Sequence, residues 1–313
     1  MVNEQNILNI LYANEKDFNH SGAIISYLGQ AMAQYKVYKC LRFRKKLAVN
    51  MAEEYLKSGD HAKALTLFSL MLSDYRTDKW YKIFTEVLMK TFQSAYLSAS
   101  VPDYVSCSIE AMSPRILSSK SERITILENL WRVFQGVAPT ANQPGSGADV
   151  QKAWEHALEN FTEPVIVDLD KISEIFACDV SFTENQAVFD EEITIELKIK
   201  SLTEVPLKIR GISVVLNSPK LSVKLKAKKV YQMTSLTSNE AGNELKESEL
   251  MILSESSYKA IFSADSRQFT ENDKLSIGRV EFQIGTDKKF AVLLKSTTLN
   301  QHQNRFHLFY GDI

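Results

Sequence analysis

Apolar residues recur every three to four positions through the first half of the chain and every second position through the rest. The first spacing is that of a helix with one buried face, the second that of a half-buried strand. Across residues 21–161 the helical stripes follow one another. Leu47, Ala48, Met51, Ala52 and Tyr55 form one, interrupted by Gly59-Asp60. Ala64, Leu65, Phe68, Leu72 and Tyr75 form the next, and Ile83, Phe84, Val87, Leu88, Phe92, Ala95 and Tyr96 a third. A fourth carries Tyr104, Val105, Ile109 and Met112 and stops at Ser113-Pro114, since proline cannot continue a helix interior. A fifth carries Ile124, Leu127, Leu130, Trp131 and Phe134. After the stretch 136–148, Asp149 reads as the N-cap of a sixth, with Val150, Ala153, Trp154, Ala157 and Leu158.

The pair of helices around Gly59 has a tetratricopeptide (TPR) pattern. Small residues, Ala52 and Ala64, stand where two helices must approach. Aromatics, Tyr55 and Phe68, fill the space between them, and Gly59 supplies the turn. A weaker copy lies 41 residues on, with Tyr96 for Tyr55 and Ser100 for Gly59, which exceeds the usual period of about 34. A degenerate TPR-like solenoid follows, and an ordinary helix bundle gives the same stripes. Either offers an extended surface for protein partners.

After Glu163-Pro164 the period becomes two. Ile193, Ile195, Leu197 and Ile199 alternate with polar residues, as do Phe176, Cys178, Val180 and Phe182. The phase slips at Arg210-Gly211, between Leu207/Ile209 and Ile212/Val214/Leu216, which a β-bulge would explain. Lys224, Lys226 and Lys228 alternate with apolar residues, as on a protected edge strand. Eight short strands read as an antiparallel, immunoglobulin-like sandwich without the Cys–Trp–Cys core of antibody domains. The expected organisation is an α-helical domain over 1–162 and a β-sandwich over 163–313.

Composition narrows the function. Apolar residues make up 44% and charged residues 24%, so the chain is globular, and a net charge of −1 leaves electrostatic roles to local patches. Cys40, Cys107 and Cys178 are too far apart for a disulfide framework or a zinc site, which points to a reducing compartment. No Gly-Lys pair occurs, so no P-loop is present. No histidine stands in a zinc-binding motif, and His302 and His307, five apart on a strand, face opposite sides. The paired acids Asp168/Asp170 and Asp190/Glu191/Glu192 flank strands, where carboxylates are usually solvated. The chain is therefore expected to be no enzyme, with no catalytic residue, cofactor or metal site. One cluster stands out: Lys36, Lys39, Arg42, Arg44, Lys45 and Lys46, interleaved with Tyr38 and Phe43. On one helix Lys36, Lys39, Arg42 and Lys46 would share a face, with Tyr35 and Tyr38 leaning toward the core. Such a face suits an anionic lipid, an acidic partner or nucleic acid, or it is a solvated helix face.

Ile24-Ile25-Ser26-Tyr27-Leu28, Ala33-Gln34-Tyr35-Lys36-Val37-Tyr38-Lys39-Cys40, Met51-Ala52-Glu53-Glu54-Tyr55, Lys63-Ala64-Leu65 and Asp74-Tyr75-Arg76 with Trp80 together resemble a known family. It is the foie gras domain, found in the subunit numbered eleven of the transport protein particle (TRAPP) complex, called gryzun in flies. The resemblance is clear over residues 20–112 and looser beyond. It implies a cytosolic vesicle-tethering scaffold between endoplasmic reticulum and Golgi, linked to autophagy and peripheral at the Golgi and the intermediate compartment. The implied partners are other TRAPP subunits. The implied membrane association is through the complex only, with no nucleic acid and no small-molecule substrate. Tyr55, Gly59, Ala64, Asp74, Tyr75, Arg76 and Trp80 carry the family signature as structural residues. Lys36, Lys39, Arg42 and Lys46 are the candidate partner-binding residues. Family members are much longer, so the resemblance implies a piece of a larger protein. A sandwich enzyme with a helical lid and a binder of membrane or nucleic acid through the 36–46 cluster are the competing readings.

Overall fold

The computed structural model describes residues 4–140, 147–184, 186–188, 191–218, 220–233, 243–245, 250–269, 274–285, 292–296 and 305–309. By contact density the chain divides into two units, 1–98 and 99–313.

The first unit holds α1 (Glu4–Asp17), α2 (His20–Val37), α3 (Leu41–Lys57), α4 (His61–Asp78) and α5 (Tyr81–Leu97). From α2 to α5 each helix packs on the next. The turns repeat every twenty residues: Lys39, Gly59 and Lys79 all adopt left-handed φ, at 55°, 83° and 57°. At the first two turns the N–H of the following residue reaches back five positions, Cys40 to the Tyr35 carbonyl and Asp60 to that of Tyr55, both at 2.9 Å. That six-to-one bond is the Schellman stop of a helix. The helix-pair repeat is therefore forty residues rather than the 41 read from side chains, because the backbone turns, not the aromatics, keep the register. Asn19 and Asp60 cap α2 and α4 by accepting from the N–H groups of Gly22 and Lys63.

Ala52 and Ala64 are fully buried on α3 and α4, as is Phe68. Tyr55 is only half-buried, with the Lys63 ammonium 5.4 Å from its ring centre. The inner stripe of α3 is Ala48, Val49 and Ala52, rotated away from Leu47, Met51 and Tyr55.

The second unit begins with α6 (Val101–Glu110), α7 (Lys120–Phe134) and α8 (Ala148–Asn160). The helix-to-strand switch falls between Asn160 and Val165, where the periodicity changes. Gly147, not Asp149, is the N-cap of α8; Asp149 sits in the first turn, where the helix dipole favours its charge. The strands are β1 (Val165–Asp168), β2 (Phe176–Phe182), β3 (Gln186–Val188), β4 (Glu192–Ser201), β5 (Leu207–Lys208), β6 (Gly211–Asn217), β7 (Ser222–Lys226), β8 (Lys229–Met233), β9 (Asn243–Leu245), β10 (Met251–Ile252), β11 (Ser257–Asp265), β12 (Lys274–Ile284), β13 (Val292–Ser296) and β14 (Arg305–Phe309).

One sheet runs β2-β4-β11-β8-β9 and is antiparallel throughout. The larger sheet is built on β12, with β6 and then β7 to one side and β13 and β14 to the other. Its outer pairings, β1 with β13 and β3 with β14, run parallel. The inner faces meet: Phe176 of β2 lies 5.2 Å from Phe282 of β12, ring centre to ring centre. On β4, Ile193, Ile195, Leu197 and Ile199 are buried, as alternation predicts.

The phase slip at Arg210-Gly211 is not a bulge. β5 pairs with β10 in a small separate sheet, and after two intervening residues β6 enters the large one. The faces swap because the chain changes sheets. A register shift does occur between Ile277 and Arg279, at Gly278, where a Cβ would come within 2.3 Å of the Asn217 amide. β7 pairs only with β6 among the described strands, so its lysines do lie on an edge.

Helices and strands of this unit are joined by polar groups, several of them buried. Glu110, at the end of α6, accepts from the N–H and hydroxyl of Ser173 at 2.8 and 3.0 Å. Ser113 donates to the Glu174 carbonyl at 2.9 Å, and Arg115 to the Glu174 carboxylate at 2.7 Å. Arg123, buried on α7, donates to Ser118 Oγ and to the Ile116 carbonyl. Its Nη1 stands 3.1 Å from Glu204, off-line for a hydrogen bond, so that pairing is electrostatic.

Glu281 on β12 is buried and accepts from Lys224 at 2.6 Å and Arg279 at 2.7 Å. Burial works against its charge, but these two cations hold its carboxyl below the usual range. A depressed carboxyl pKa contributes stability above the unfolded value of about 4.3, and that contribution is lost as pH falls through the folded value. Glu281→Gln should therefore lower the urea midpoint most near neutral pH, with the gap to the parent closing as the solution is acidified below about pH 4. A gap that stays constant down to pH 3 would mean the carboxylate is not what the cations stabilise.

Candidate interaction site

The helix expected to carry the whole basic cluster is two helices. α2 ends at Val37, and residues 38–40 turn the chain into α3. Lys36 leaves the end of α2, Lys39 stands in the left-handed turn, and Arg42 and Lys46 lie on α3. All four are exposed. Tyr35 stacks on Phe43 across the hairpin, rings 5.5 Å apart, which ties the two helix ends together. Tyr38 does not lean inward: it lies past the last helical residue, so helical periodicity no longer governs it, and 73% of its surface is exposed.

Several of the signature residues make contacts between the helices. Tyr75 is buried on α4, and burial pushes its phenol above the ordinary value. Asp74 and Asp78 face Lys45 of α3, at 3.7 and 3.0 Å. Burial opposes the charge on Lys45, but its hydrogen bond to Asp78 and the two carboxylate fields raise its pKa above the ordinary value. The Arg76 guanidinium lies 5.4 Å from the ring centre of Phe84 on α5. The Arg42 guanidinium lies 5.1 Å from that of Trp80, which starts α5. These contacts join α3, α4 and α5 at one end of the helical layer. The sequence signal for them is the Asp-Tyr-Arg triplet, one helical face of which meets α3 while Arg76 reaches α5.

In the second unit a cavity of about 430 Å³ is lined by Ile175, Phe176, Leu202 and Cys178, with the carboxylates of Asp170 and Glu174. Cys178 keeps some exposed surface, but the density of atoms around the thiol, aided by the Asp170 charge, pushes it up to about 12. A thiol held protonated is no nucleophile. Glu174 is engaged by Arg115, and Asp168 shapes a turn by accepting from the Asp170 N–H and pairing with Lys171. Glu192 is bonded to Lys228, which lowers its carboxyl pKa; Asp190 lies outside the described residues. His302 also lies outside them, as does the side chain of His307. Among the described residues no group of His, Cys, Asp and Glu side chains is placed to hold a metal ion, and no helix is long and apolar enough to cross a membrane.

A helical layer of paired antiparallel helices followed by a two-sheet sandwich defines a protein of the helical-plus-immunoglobulin-like class. The family follows from comparison. Residues 2–114 match the model of foie gras liver health family 1, and residues 166–307 match that of the TRAPPC11 first Ig-like domain. The chain thus carries a foie gras domain followed by an Ig-like domain of that family, as the helical residues had implied. Trafficking protein particle complex subunit 11 of Gallus gallus is 23% identical over 288 residues, 91% of this chain and 25% of that protein. The Homo sapiens protein of the same name is 23% identical over 287 residues, 90% of this chain and 25% of its own length. The chain spans about a quarter of the length of the curated relatives it matches. Among solved structures, the sporulation control protein Spo0M of Bacillus subtilis aligns over 44% of this chain and 51% of its own, at 10% identity and a TM-score of 0.24, too low to carry an argument.

Proposed function

We propose that this chain is a non-catalytic scaffold of a trafficking protein particle (TRAPP) complex, acting in vesicle tethering between endoplasmic reticulum and Golgi with a link to autophagy. The observation that carries this reading is the order of the two family matches along one chain, foie gras then Ig-like, within relatives that align over nine-tenths of it. The partners are other TRAPP subunits, met on broad helical and sheet surfaces rather than in a small-molecule cleft. On this reading the first helical unit and the unit that carries the sandwich each present a binding surface, at the cytoplasmic side of Golgi and intermediate-compartment membranes. The described side chains support a role without chemistry: at the 430 Å³ cavity Glu174 is engaged by Arg115 and the Cys178 thiol is held protonated.

Expressed with an affinity tag in cells, the chain should co-purify with other TRAPP subunits, and purified alone it should not accelerate nucleotide release from a Rab-type GTPase. Recovery of no TRAPP subunit would sink the assignment. Faster nucleotide release by the isolated chain would sink the scaffold reading.

A further inference from the structure

We infer that the end of the first unit formed by the α2–α3 and α4–α5 turns is a docking surface for an anionic lipid bilayer. The two turns lie side by side: the Arg42 guanidinium sits 5.1 Å from the Trp80 ring centre, and Lys45 Nζ is 3.0 Å from Asp78. Large apolar side chains face outward from them. Val37 and Tyr38 are each 73% exposed, and Leu41 and Phe43 each 63%. Trp80 and Ile83 add two further half-exposed groups from the second turn. Around them stand Lys36, Lys39, Arg42, Lys46, Lys79 and Lys82, all exposed, none in an ion pair among the described residues. The acids of this end, Asp74 and Asp78, both face Lys45.

The opposite end of the same helices has another character. At the α3–α4 turn Lys57 is paired with Glu54 at 2.6 Å and Lys63 with Asp60 at 2.7 Å. No large apolar side chain from residues 53–63 is exposed there. Other apolar side chains of this unit are exposed as well, among them Leu11, Tyr12, Tyr27 and Leu70, but at the α2–α3 and α4–α5 turns the exposed apolar groups stand among exposed cations.

The combination selects the occupant. Uncompensated cations attract anionic headgroups, and tyrosine and tryptophan favour the headgroup level of a bilayer, where the ring is buried and its polar edge stays wet. Lysine stems reach from such a plane to the phosphates while their chains cover apolar surface. A protein helix would need a groove, whereas these exposed side chains stand at helix ends and in the turns between them. Lys39 and Lys79 hold the left-handed turn positions, where a lysine is disfavoured, and both are exposed. The surface gives the chain a membrane contact of its own, and the inference stands on this geometry whether or not the TRAPP reading holds.

The test is flotation of the 313-residue chain with phosphatidylcholine vesicles, with and without phosphatidylserine. The chain should float with the phosphatidylserine vesicles at low salt, at least roughly tenfold less at high salt, and little with phosphatidylcholine alone. K36E/K39E/K46E should lose roughly tenfold in binding or more while keeping the parent melting midpoint. Y38S/F43S, of unchanged charge, should also lose binding, which purely electrostatic adhesion would not. No flotation with phosphatidylserine, flotation that the charge-reversed variant retains, or flotation indifferent to Tyr38 and Phe43 would each overturn the inference. So would tighter binding of an acidic peptide or an RNA oligonucleotide by the same surface. Unchanged co-purification of the charge-reversed variant with TRAPP subunits would separate this contact from assembly of the complex.

Discussion

Trp154→Ala is expected to lower the melting midpoint of the 99–313 unit by roughly 6 to 20 °C. Trp154 is fully buried at the centre of α8, and its ring meets that of Tyr104 of α6 edge to face at 5.1 Å. α8 has few other anchors, since Leu158 is the only further buried residue on it. Truncating a buried tryptophan typically costs about 3 to 5 kcal/mol, through lost burial and the cavity left behind. Trp154→Phe keeps an aromatic ring against Tyr104 and should recover most of the loss. Thermal melts followed by far-ultraviolet circular dichroism avoid the lost fluorophore. A shift below 2 °C for the alanine variant would mean that α8 adds little to the stability of this unit.

Ala64→Leu should destabilise the first unit by about 1 to 3 kcal/mol, because three extra carbons must enter a site with no free surface. Ala64 is fully buried on α4, and the facing helix α3 also presents a fully buried alanine, Ala52. The control is Ala62→Leu on the exposed side of the same helix, where the change should stay within about 0.5 kcal/mol. Urea midpoints of the two variants should therefore differ clearly. Equal midpoints would remove Ala64 from the helix–helix contact.

Much of the architecture was legible along the chain. Periodicity located the change from helix to strand at Glu163-Pro164, since side-chain spacing follows directly from 3.6 or two residues per repeat. It found the pair around Gly59, because a left-handed turn favours glycine. It did not find the sister turns at Lys39 and Lys79, where a lysine takes the same backbone form and leaves no mark in the sequence. For that reason the basic cluster read as one helical face, and the structure spreads it over two helix ends and a turn. The amino-acid order did determine that six cations and two aromatics fall close together. Only the packing of α3 against α4, and of α4 against α5, placed Trp80, Lys79 and Lys82 beside them.

The sequence by itself determined where helix gives way to strand and which family the chain resembles, because local spacing and residue order carry that information. Tertiary structure alone decided which segments pack together. Residues 99–160 are helical in pattern, yet they fold with the strands, through Glu110 on Ser173, Arg115 on Glu174 and Arg123 beside Glu204. A polar residue in a helical stripe reads as solvent-facing, and Arg123 and Glu110 are buried because a partner distant in sequence compensates each of them. Spacing along a chain reports the face a residue occupies; it holds no record of the group that will stand opposite that face once the chain has folded.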